Sequence, residues 1–291
     1  LYVEYLQVIA EYRPAVFVME NVKGLLSATV QNSRIFSRIV EDLTDPQKAM
    51  KREGRLCRRH RRGLPQPEYE LFSLVEQVEG DTHGLTNFVV PMENHGIPQA
   101  RHRLIIIGVR KDLLGGLKPS ILKIAEPVLA GDVLDGLPRL RSGLSRTPDG
   151  DKEWLDSIHS MESRRWLKAA EKRAGHQTYD ELCRALQMIK VPRKGRGGEF
   201  VPHSAKAIYA PDWYLDSRLE GVLNHATRGH IEKDLHRYLY CACFGKAHGR
   251  SPVLADFPAD LLPMHKNVGK ALDGSLFADR FRVQLASRPS T

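Results

Sequence analysis

Two short and uninterrupted apolar runs constrain the fold of this chain most strongly. Residues 15–19 read Ala-Val-Phe-Val-Met, and residues 104–109 read Leu-Ile-Ile-Ile-Gly-Val. Runs of this length without polar alternation are typical of strands that are buried on both faces of a parallel sheet. An amphipathic stretch at residues 35–43 lies between them and predicts a helix. This order of elements predicts an α/β fold with an open sheet.

The second half of the chain has a different character. From about residue 138 the apolar runs fade, loops lengthen, and Gly, Pro and His recur. Helical spacing remains only near residues 154–174 and 231–243. A length of 291 residues allows one large domain or two of ordinary size, and the change of character favours two. We therefore predict one domain at residues 1–138 and a smaller, irregular domain at residues 139–291.

The composition limits the class of protein. Hydrophobic residues make up 42% and charged residues 27%, which is globular composition and excludes a disordered chain. No apolar run approaches the ~20 residues that a bilayer span requires, so no membrane segment is predicted. The four cysteines do not form a disulfide framework in a chain of this length, which favours an intracellular location.

The positive charge is concentrated in short segments. The net charge is +9, and residues 48–62 alone contain eight basic residues against one Glu. Such a patch suits the phosphates of a nucleic acid, because neutralising them releases condensed counterions. A solvated surface insertion or a flexible linker is the alternative, and both interpretations stay open. The candidate DNA contacts are Arg58, Arg59, Arg61 and Arg62 here, Arg193, Lys194 and Arg196 in a glycine-rich loop, and Arg228 in a polar loop.

Polar side chains flank both apolar runs. The first run ends directly in Glu20 and Asn21, at the end of a strand where ligands bind in open α/β sheets. Gln99, Arg101 and Arg103 lead into the second run. If residues 99–103 are extended, alternation puts these three side chains on one side, where two guanidinium groups require acceptors. An ordinary strand terminus and a structural ion pair are the alternatives.

Taken together, these residues resemble the motifs of one enzyme family. Glu-Asn-Val at residues 20–22, followed by Gln-x-Arg-x-Arg at residues 99–103, is similar to the cytosine-5 DNA methyltransferase family. Residues 132–138 resemble the segment that leads into that family's target recognition domain. The resemblance covers residues 1–138 and is looser over residues 139–291. It implies the C-terminal part of a Rossmann-like, S-adenosylmethionine-dependent methyltransferase sheet, followed by a DNA-binding recognition domain.

The resemblance also implies a reaction and residue roles. A methyl group passes from S-adenosylmethionine to C5 of a cytosine that is flipped out of duplex DNA. Glu20 would hydrogen-bond the cytosine ring nitrogen and exocyclic amine, and Arg103 would donate to the cytosine O2. Arg101 would support Glu20 or the nucleophile loop, Asn21 would orient that loop, and Gln99 belongs to the same catalytic group.

Several family features have no counterpart in this sequence. None of the cysteines at positions 57, 183, 241 and 243 follows a proline, so no nucleophile is identified, and no cofactor-binding residue is identified either. We therefore expect an internal fragment that is inactive alone. The alternatives are a catalytically dead DNA-binding homologue or regulatory subunit, and an RNA-directed member of the family.

The remaining expectations concern metals, aromatic residues and partners. Residues two apart on a helix point about 200° apart, so Cys241 and Cys243 do not suit one zinc ion, and no metal site is predicted. Trp213 and Tyr214 are predicted to lie in the core. The expected partners are double-stranded DNA and a cognate restriction endonuclease system. A monomer is expected in a bacterial cytoplasm, associated with the nucleoid through DNA and not with a membrane.

Overall fold

The computed structural model divides the chain into two compact units, Leu1–Pro127 and Val128–Thr291. It describes residues 2–26, 29–30, 33–55, 67–76, 87–116, 118–204, 209–264, 266, 268–272 and 281–290. The division lies before the boundary near residue 138 that the sequence predicts. The reason is that residues 128–138 are tied to later segments. The amide of Ala130 donates to the carbonyl of Arg288, and the His225 ring lies 2.8 Å from the carbonyl oxygen of Pro138.

Unit 1 contains three helices and six strands in the part that the structure describes. In chain order they are α1 (Tyr2–Tyr12), β1 (Val16–Val22), β2 (Thr29–Val30), β3 (Ser33–Arg34), α2 (Ile35–Thr44), α3 (Pro46–Arg52), β4 (Tyr69–Phe72), β5 (Val89–Pro91) and β6 (His102–Arg110). Short 3-10 turns lie at Lys23–Leu26, Met92–His95 and Lys111–Leu113. Both apolar runs therefore form strands, and the mixed α/β class is confirmed.

The main sheet of unit 1 is built around β6. This strand pairs with β1, β4 and β5, and every one of these pairings is antiparallel. The expectation of a parallel sheet buried on both faces is therefore wrong for these strands. In β1, Phe17 and Met19 are buried whereas Val16 and Val18 are more than half exposed. An antiparallel sheet tolerates one open face, so an apolar run does not require burial on both sides.

The core of unit 1 lies on one face of this sheet. Helix α1 buries Leu6 and Ile9 against it, and α2 buries Phe36. Phe17 of β1 lies opposite Gly108 of β6 and contributes its ring to the same cluster. A Cβ atom at position 108 would lie 2.1 Å from the Phe17 ring, so the absence of a side chain there makes room for the aromatic ring.

Unit 2 is mainly helical. Its described elements are α4 (Ala130–Leu134), β7 (Gly143–Leu144), α5 (Asp151–His159), α6 (Arg165–Ala174), α7 (His176–Met188), β8 (Gly197–Pro202), α8 (Pro211–Tyr214), β9 (Gly221–Ala226), β10 (Gly229–His230), α9 (Glu232–His248) and α10 (Val268–Leu272). Strands β8 and β9 form an antiparallel pair, and β7 and β10 form a short parallel pair. None of the described helices in either unit has the length and apolar character needed to cross a bilayer.

Helix α9 lies at the centre of the unit 2 core. It buries Tyr240 and Phe244 together with Trp166 of α6 and Leu182 of α7. The predicted helix at residues 231–243 is confirmed as α9. The predicted helix at residues 154–174 is interrupted by a 3-10 turn at Ser160–Ser163, which separates α5 from α6.

One expectation about unit 2 is wrong. Trp213 is 83% exposed and Tyr214 is 41% exposed, so neither belongs to the core. Both residues lie in α8, a helix of only four residues. A single helical turn cannot direct successive aromatic side chains to one buried face, which explains why apolar character alone was misleading here.

Candidate active site

Glu20 and Arg103 form an ion pair on one face of the unit 1 sheet. Arg103 lies opposite Val22 in the β1–β6 register, so Glu20 is its diagonal neighbour across the two strands. The distance from Arg103 Nε to Glu20 Oε1 is 2.8 Å. The Arg103 side chain is only 15% exposed, whereas that of Glu20 is 57% exposed. The carboxylate is therefore anchored at one oxygen and still accessible to a ligand.

The Arg103 guanidinium has a second fixed contact. Its Nη1 donates to the backbone carbonyl of His102 at 2.8 Å. Because Arg103 lies on β6 between β1 and β5, both its backbone and its side chain are held. A positive group held in this way can stabilise charge on a ligand without reorganising first.

Asn21 follows Glu20 and points to the other face of β1, because side chains alternate along a strand. Its Oδ1 accepts a hydrogen bond from the backbone N–H of Val22 at 2.8 Å. This contact lies where β1 ends and the 3-10 turn at Lys23–Leu26 begins. The amide side chain therefore shapes the end of the strand, and its role toward a nucleophile loop stays a prediction.

Gln99 and Arg101 are placed differently from what the sequence predicts. The amide of Gln99 donates to the carbonyl of Ile97, and the amide of Arg101 donates to the carbonyl of Gln99, so two successive γ-turns precede β6. The extended alternation over residues 99–103 is therefore wrong, since β6 begins at His102. The Arg101 side chain is exposed, and among the described residues it has no ion pair with Glu20.

A contact between two titratable side chains lies beside this site and was missed from the sequence. The Nε2 atom of His102 is 2.7 Å from Oε1 of Glu93, which lies in the turn after β5. Burial acts to raise the pKa of the Glu93 carboxyl, but contacts with the His102 ring and with the backbone outweigh it and hold that pKa below its ordinary value. No spacing rule connects a Glu to a His nine positions later across an irregular turn, so the sequence contained no signal for this pair.

The family model for C-5 cytosine-specific DNA methylases matches residues 1–47, the segment that contains α1, β1 and Glu20. This segment of the chain is therefore similar to that family. It is 31% identical over 116 residues to the DNA (cytosine-5-)-methyltransferase M.ApeKI of Aeropyrum pernix, a match that covers 40% of this chain and 22% of the relative. It is 30% identical over 112 residues to the Type II methyltransferase M.BbvI of Brevibacillus brevis, covering 38% and 21% respectively. The chain thus matches about a fifth of the length of these relatives.

A solved structure of a candidate DNA modification methyltransferase, encoded within a prophage of E. coli, is also similar. That match covers 56% of this chain and 43% of the other chain, at 19% sequence identity and a TM-score of 0.31.

Three segments of unit 2 that carry basic side chains are joined by backbone hydrogen bonds. The amide of Arg141 donates to the carbonyl of Gly195, and the amide of Gly143 donates to the carbonyl of Arg228. These contacts join residues 139–146, 193–196 and 227–230. The exposed cations on the three segments are the predicted Arg193, Lys194 and Arg228, together with Arg139 and Arg146, which the sequence did not single out. We call these five side chains the unit 2 basic surface.

Arg196 lies in the same region but is already engaged. Its Nη1 contacts Oδ2 of Asp149 at 2.9 Å, and its Nη2 donates to the carbonyl of Thr227 at 3.1 Å. Asp149 also accepts from the buried Arg141, and this hydrogen bond holds the pKa of the Asp149 carboxyl below its usual value. Arg196 packs so closely on Gly143 that a Cβ there would lie 2.6 Å from the guanidinium carbon. Arg196 therefore has a structural role, and DNA contact by this residue stays a prediction.

The first basic segment is only partly described. The predicted contacts Arg58, Arg59, Arg61 and Arg62 lie outside the described residues, as does Cys57. Earlier in the segment, Arg52 forms an ion pair with the buried Asp42, and Arg55 contacts Glu4 at 3.0 Å. Both guanidinium groups are therefore already engaged in ion pairs within unit 1.

In the part of the chain that the structure describes, no three His, Cys, Asp or Glu side chains converge as metal ligands. The thiol of Cys241 donates to the carbonyl of Phe281, and the thiol of Cys243 donates to the carbonyl of Glu181. The two side chains thus leave α9 toward different segments, in agreement with the helical geometry. Burial raises the pKa of both thiols to about 12, so neither is a reactive thiolate near neutral pH.

Proposed function

We propose that this chain is part of a DNA (cytosine-5-)-methyltransferase, which transfers a methyl group from S-adenosylmethionine to C5 of a flipped cytosine in duplex DNA. The observation that carries the proposal is the 2.8 Å contact between Glu20 and Arg103. The two residues belong to the two motif segments of the family resemblance, and their functional groups meet on one face of the sheet.

Glu20 supplies the acid function in this proposal. A cytosine ring takes a nucleophile at C6 poorly unless its ring nitrogen is hydrogen-bonded or protonated as the adduct forms. A carboxyl group can donate to that nitrogen and accept from the neighbouring amine. The exposure of Glu20, together with its anchoring through Oε1, leaves it able to meet a base that has left the duplex stack.

Arg103 supplies the positive charge. Negative charge develops on the cytosine ring and its O2 oxygen when C6 is attacked. A guanidinium that is already held by Glu20 and by the His102 carbonyl needs no reorganisation to stabilise that charge. Arg101, Gln99 and Asn21 are proposed to orient neighbouring loops rather than to contact Glu20.

The nucleophile and the cofactor site are proposed to lie in other segments of a longer protein. The thiols of Cys241 and Cys243 do not fit the role, because both are buried and both donate to backbone carbonyls. S-adenosylmethionine supplies the methyl group when bound, and we assign no described residue to hold it. The fragment alone is expected to be inactive.

The test is the substitution Glu20→Gln in the longest form of the protein that transfers methyl groups. Loss of an acid or base group should lower turnover on a duplex substrate by about 10²-fold or more. Glu70→Gln is the matched control, since Glu70 is also exposed and lies on the same sheet face, opposite Val109. Turnover by Glu20→Gln close to that of Glu70→Gln would refute the role of Glu20. Transfer to RNA but not to DNA would favour the RNA-directed alternative.

We further propose that the unit 2 basic surface contacts the phosphates of DNA. Its five cations come from three adjacent segments, and the nearby Asp149 is already neutralised by Arg141 and Arg196. Phosphate contacts position a protein on the duplex without reading its sequence.

Salt dependence of duplex binding tests this surface. Removing two phosphate contacts with Arg193→Ala and Lys194→Ala should reduce the slope of log affinity against log salt by about two. Arg218→Ala is the control, because this exposed arginine is paired with Asp216 at 2.6 Å. An unchanged slope in the double variant would show that Arg193 and Lys194 do not contact DNA phosphates, which would contradict the proposal.

The cellular setting is also a proposal. The Type II designation of the Brevibacillus relative suggests a cognate restriction endonuclease. We propose a monomer that acts on DNA in a bacterial cytoplasm.

A further inference from the structure

The connection between β5 and β6 contains Gln99 and Arg101. It ends one residue before His102, so its conformation sets where Arg103 lies at the start of β6. The carbonyl of Met92 accepts from the amide of Ile97 at 3.3 Å, and the amide of Met92 donates to the carbonyl of Arg101 at 3.4 Å. Both distances are long for N–H···O hydrogen bonds. These two hydrogen bonds of Met92 therefore hold the ends of the connection only weakly.

A side-chain contact closes the same turn more tightly. Glu93 Oε1 and His102 Nε2 lie 2.7 Å apart, and the Glu93 side chain is only 20% exposed. Hydrogen bonds that involve a carboxylate are shorter and stronger than neutral ones. The contact joins the first residues after β5 to the first residue of β6, so it fixes where β6 begins.

The position of His102 affects that of the Arg103 side chain, because the two residues are hydrogen-bonded. The ring of His102 contacts Glu93 on one side of the sheet, while its backbone carbonyl accepts from Nη1 of Arg103. Arg103 Nε in turn contacts Glu20. A continuous series of contacts thus links Glu93 to the carboxylate of the candidate active site.

We propose that Glu93 and His102 are positioning residues, which hold the start of β6 so that the Arg103 guanidinium faces the flipped base. This inference rests on the proposed methyltransferase function and assigns a role to two residues that neither motif includes. Neither residue is proposed to touch the substrate.

The second oxygen of Glu93 argues against a purely stabilising role. Oε2 is buried and has no hydrogen-bond partner in the part of the chain that the structure describes. A buried carboxylate oxygen without a partner lowers stability, so a side chain selected for stability alone would avoid it. The carboxylate is better explained by the need to hold the His102 ring in one orientation.

A double-mutant cycle in the methyl-transferring form of the protein tests the proposal. Glu93→Ala and His102→Ala should each lower the single-turnover rate of methyl transfer about tenfold, because small misplacements of a charged group are costly in rate. The dissociation constant for duplex DNA should change less than about twofold, since positioning affects the reacting complex rather than the binding surface. The double variant should be no slower than either single variant, because the two side chains act as one unit.

Two further variants separate positioning from folding. The exchanged pair Glu93→His with His102→Glu should recover most of the rate if the contact itself is responsible. Glu93→Gln keeps the shape of the side chain and serves where Glu93→Ala fails to fold, as judged by far-UV circular dichroism. It should lower the rate less than alanine does.

The outcomes are distinguishable from failure of the proposed function. Normal single-turnover rates in Glu93→Ala and His102→Ala, alongside a slow Glu20→Gln, would overturn the positioning role alone. Lower stability with an unchanged rate per folded molecule would overturn it as well, as would multiplicative effects in the double variant. A normal rate in Glu20→Gln would instead contradict the proposed function itself.

Discussion

Replacing Gly108 with alanine is expected to destabilise unit 1 by about 1–3 kcal/mol, the usual cost of overpacking a core. The new Cβ would lie 2.1 Å from the Cζ atom of Phe17, far inside van der Waals contact. Phe17 is 6% exposed, and its ring is packed 5.0 Å from the ring of Tyr69 and edge-on to Tyr5. The ring therefore cannot move aside without disturbing two other aromatic residues.

A second substitution, at Phe17, tests whether the cost of Gly108→Ala comes from the clash with the Phe17 ring. Phe17→Leu shortens the side chain, so the combined variant should be less destabilised than the sum of the two single variants by about 1 kcal/mol. Gly24→Ala is the matched control, because among the described residues no atom outside its own turn and chain neighbours lies within 4 Å of a Cβ at that position. It should change the free energy of unfolding by less than about 0.5 kcal/mol.

The free energy of unfolding should be measured by urea denaturation with far-UV circular dichroism. The tryptophans at positions 154, 166 and 213 all belong to unit 2, so their fluorescence would report on the other unit. Equal stability of the variants at positions 108 and 24, or the absence of recovery by Phe17→Leu, would refute the packing argument.

Two further predictions follow from burial in unit 2. Burial lowers the pKa of His236, so the folded state binds fewer protons than the unfolded state at mildly acidic pH. The stability that comes from burying the neutral His236 ring is therefore complete above the unfolded pKa of about 6.5 and declines as the pH falls below it. His236→Gln should flatten the pH dependence of the urea midpoint between pH 7 and 5, and an unchanged profile would contradict this assignment. Because burial raises the pKa of Cys241 and Cys243 to about 12, iodoacetamide at pH 8 should modify neither thiol in the folded protein and both in urea, as read by peptide mass spectrometry. Modification in the folded state would contradict their inertness.

The positions of the sheet strands were predictable, but their pairing was not. Residues 16–19 of the first apolar run and residues 104–109 of the second fall within β1 and β6, because continuous apolar and β-branched sequence favours strands locally. The direction of pairing depends on contacts between residues about ninety positions apart, such as Phe17 with Gly108. Apolar content at Val16 and Val18 suggested two buried faces, whereas the sheet leaves both side chains exposed.

The candidate site was predictable to a similar degree. Glu20 and Arg103 were identified because each follows or opens an apolar run, and the structure brings them into contact. Arg101 was misplaced, since two γ-turns interrupt the alternation assumed from the sequence. Glu93 could not be identified, because its partner is brought to it by an irregular turn in which Gly96 adopts a left-handed conformation.

The central position of β6 has a consequence for which strands of the unit 1 sheet detach first when the sheet opens locally. Among the described strands, β6 alone pairs with each of the other three in its sheet, and β1 shares the longest register with it. Fluctuations that detach β4 or β5 would therefore leave β1 and β6 joined, because local opening begins at the less extensively paired elements. The Glu20 carboxylate and the Arg103 guanidinium would then stay paired in partly open forms, in which an outer strand is already detached.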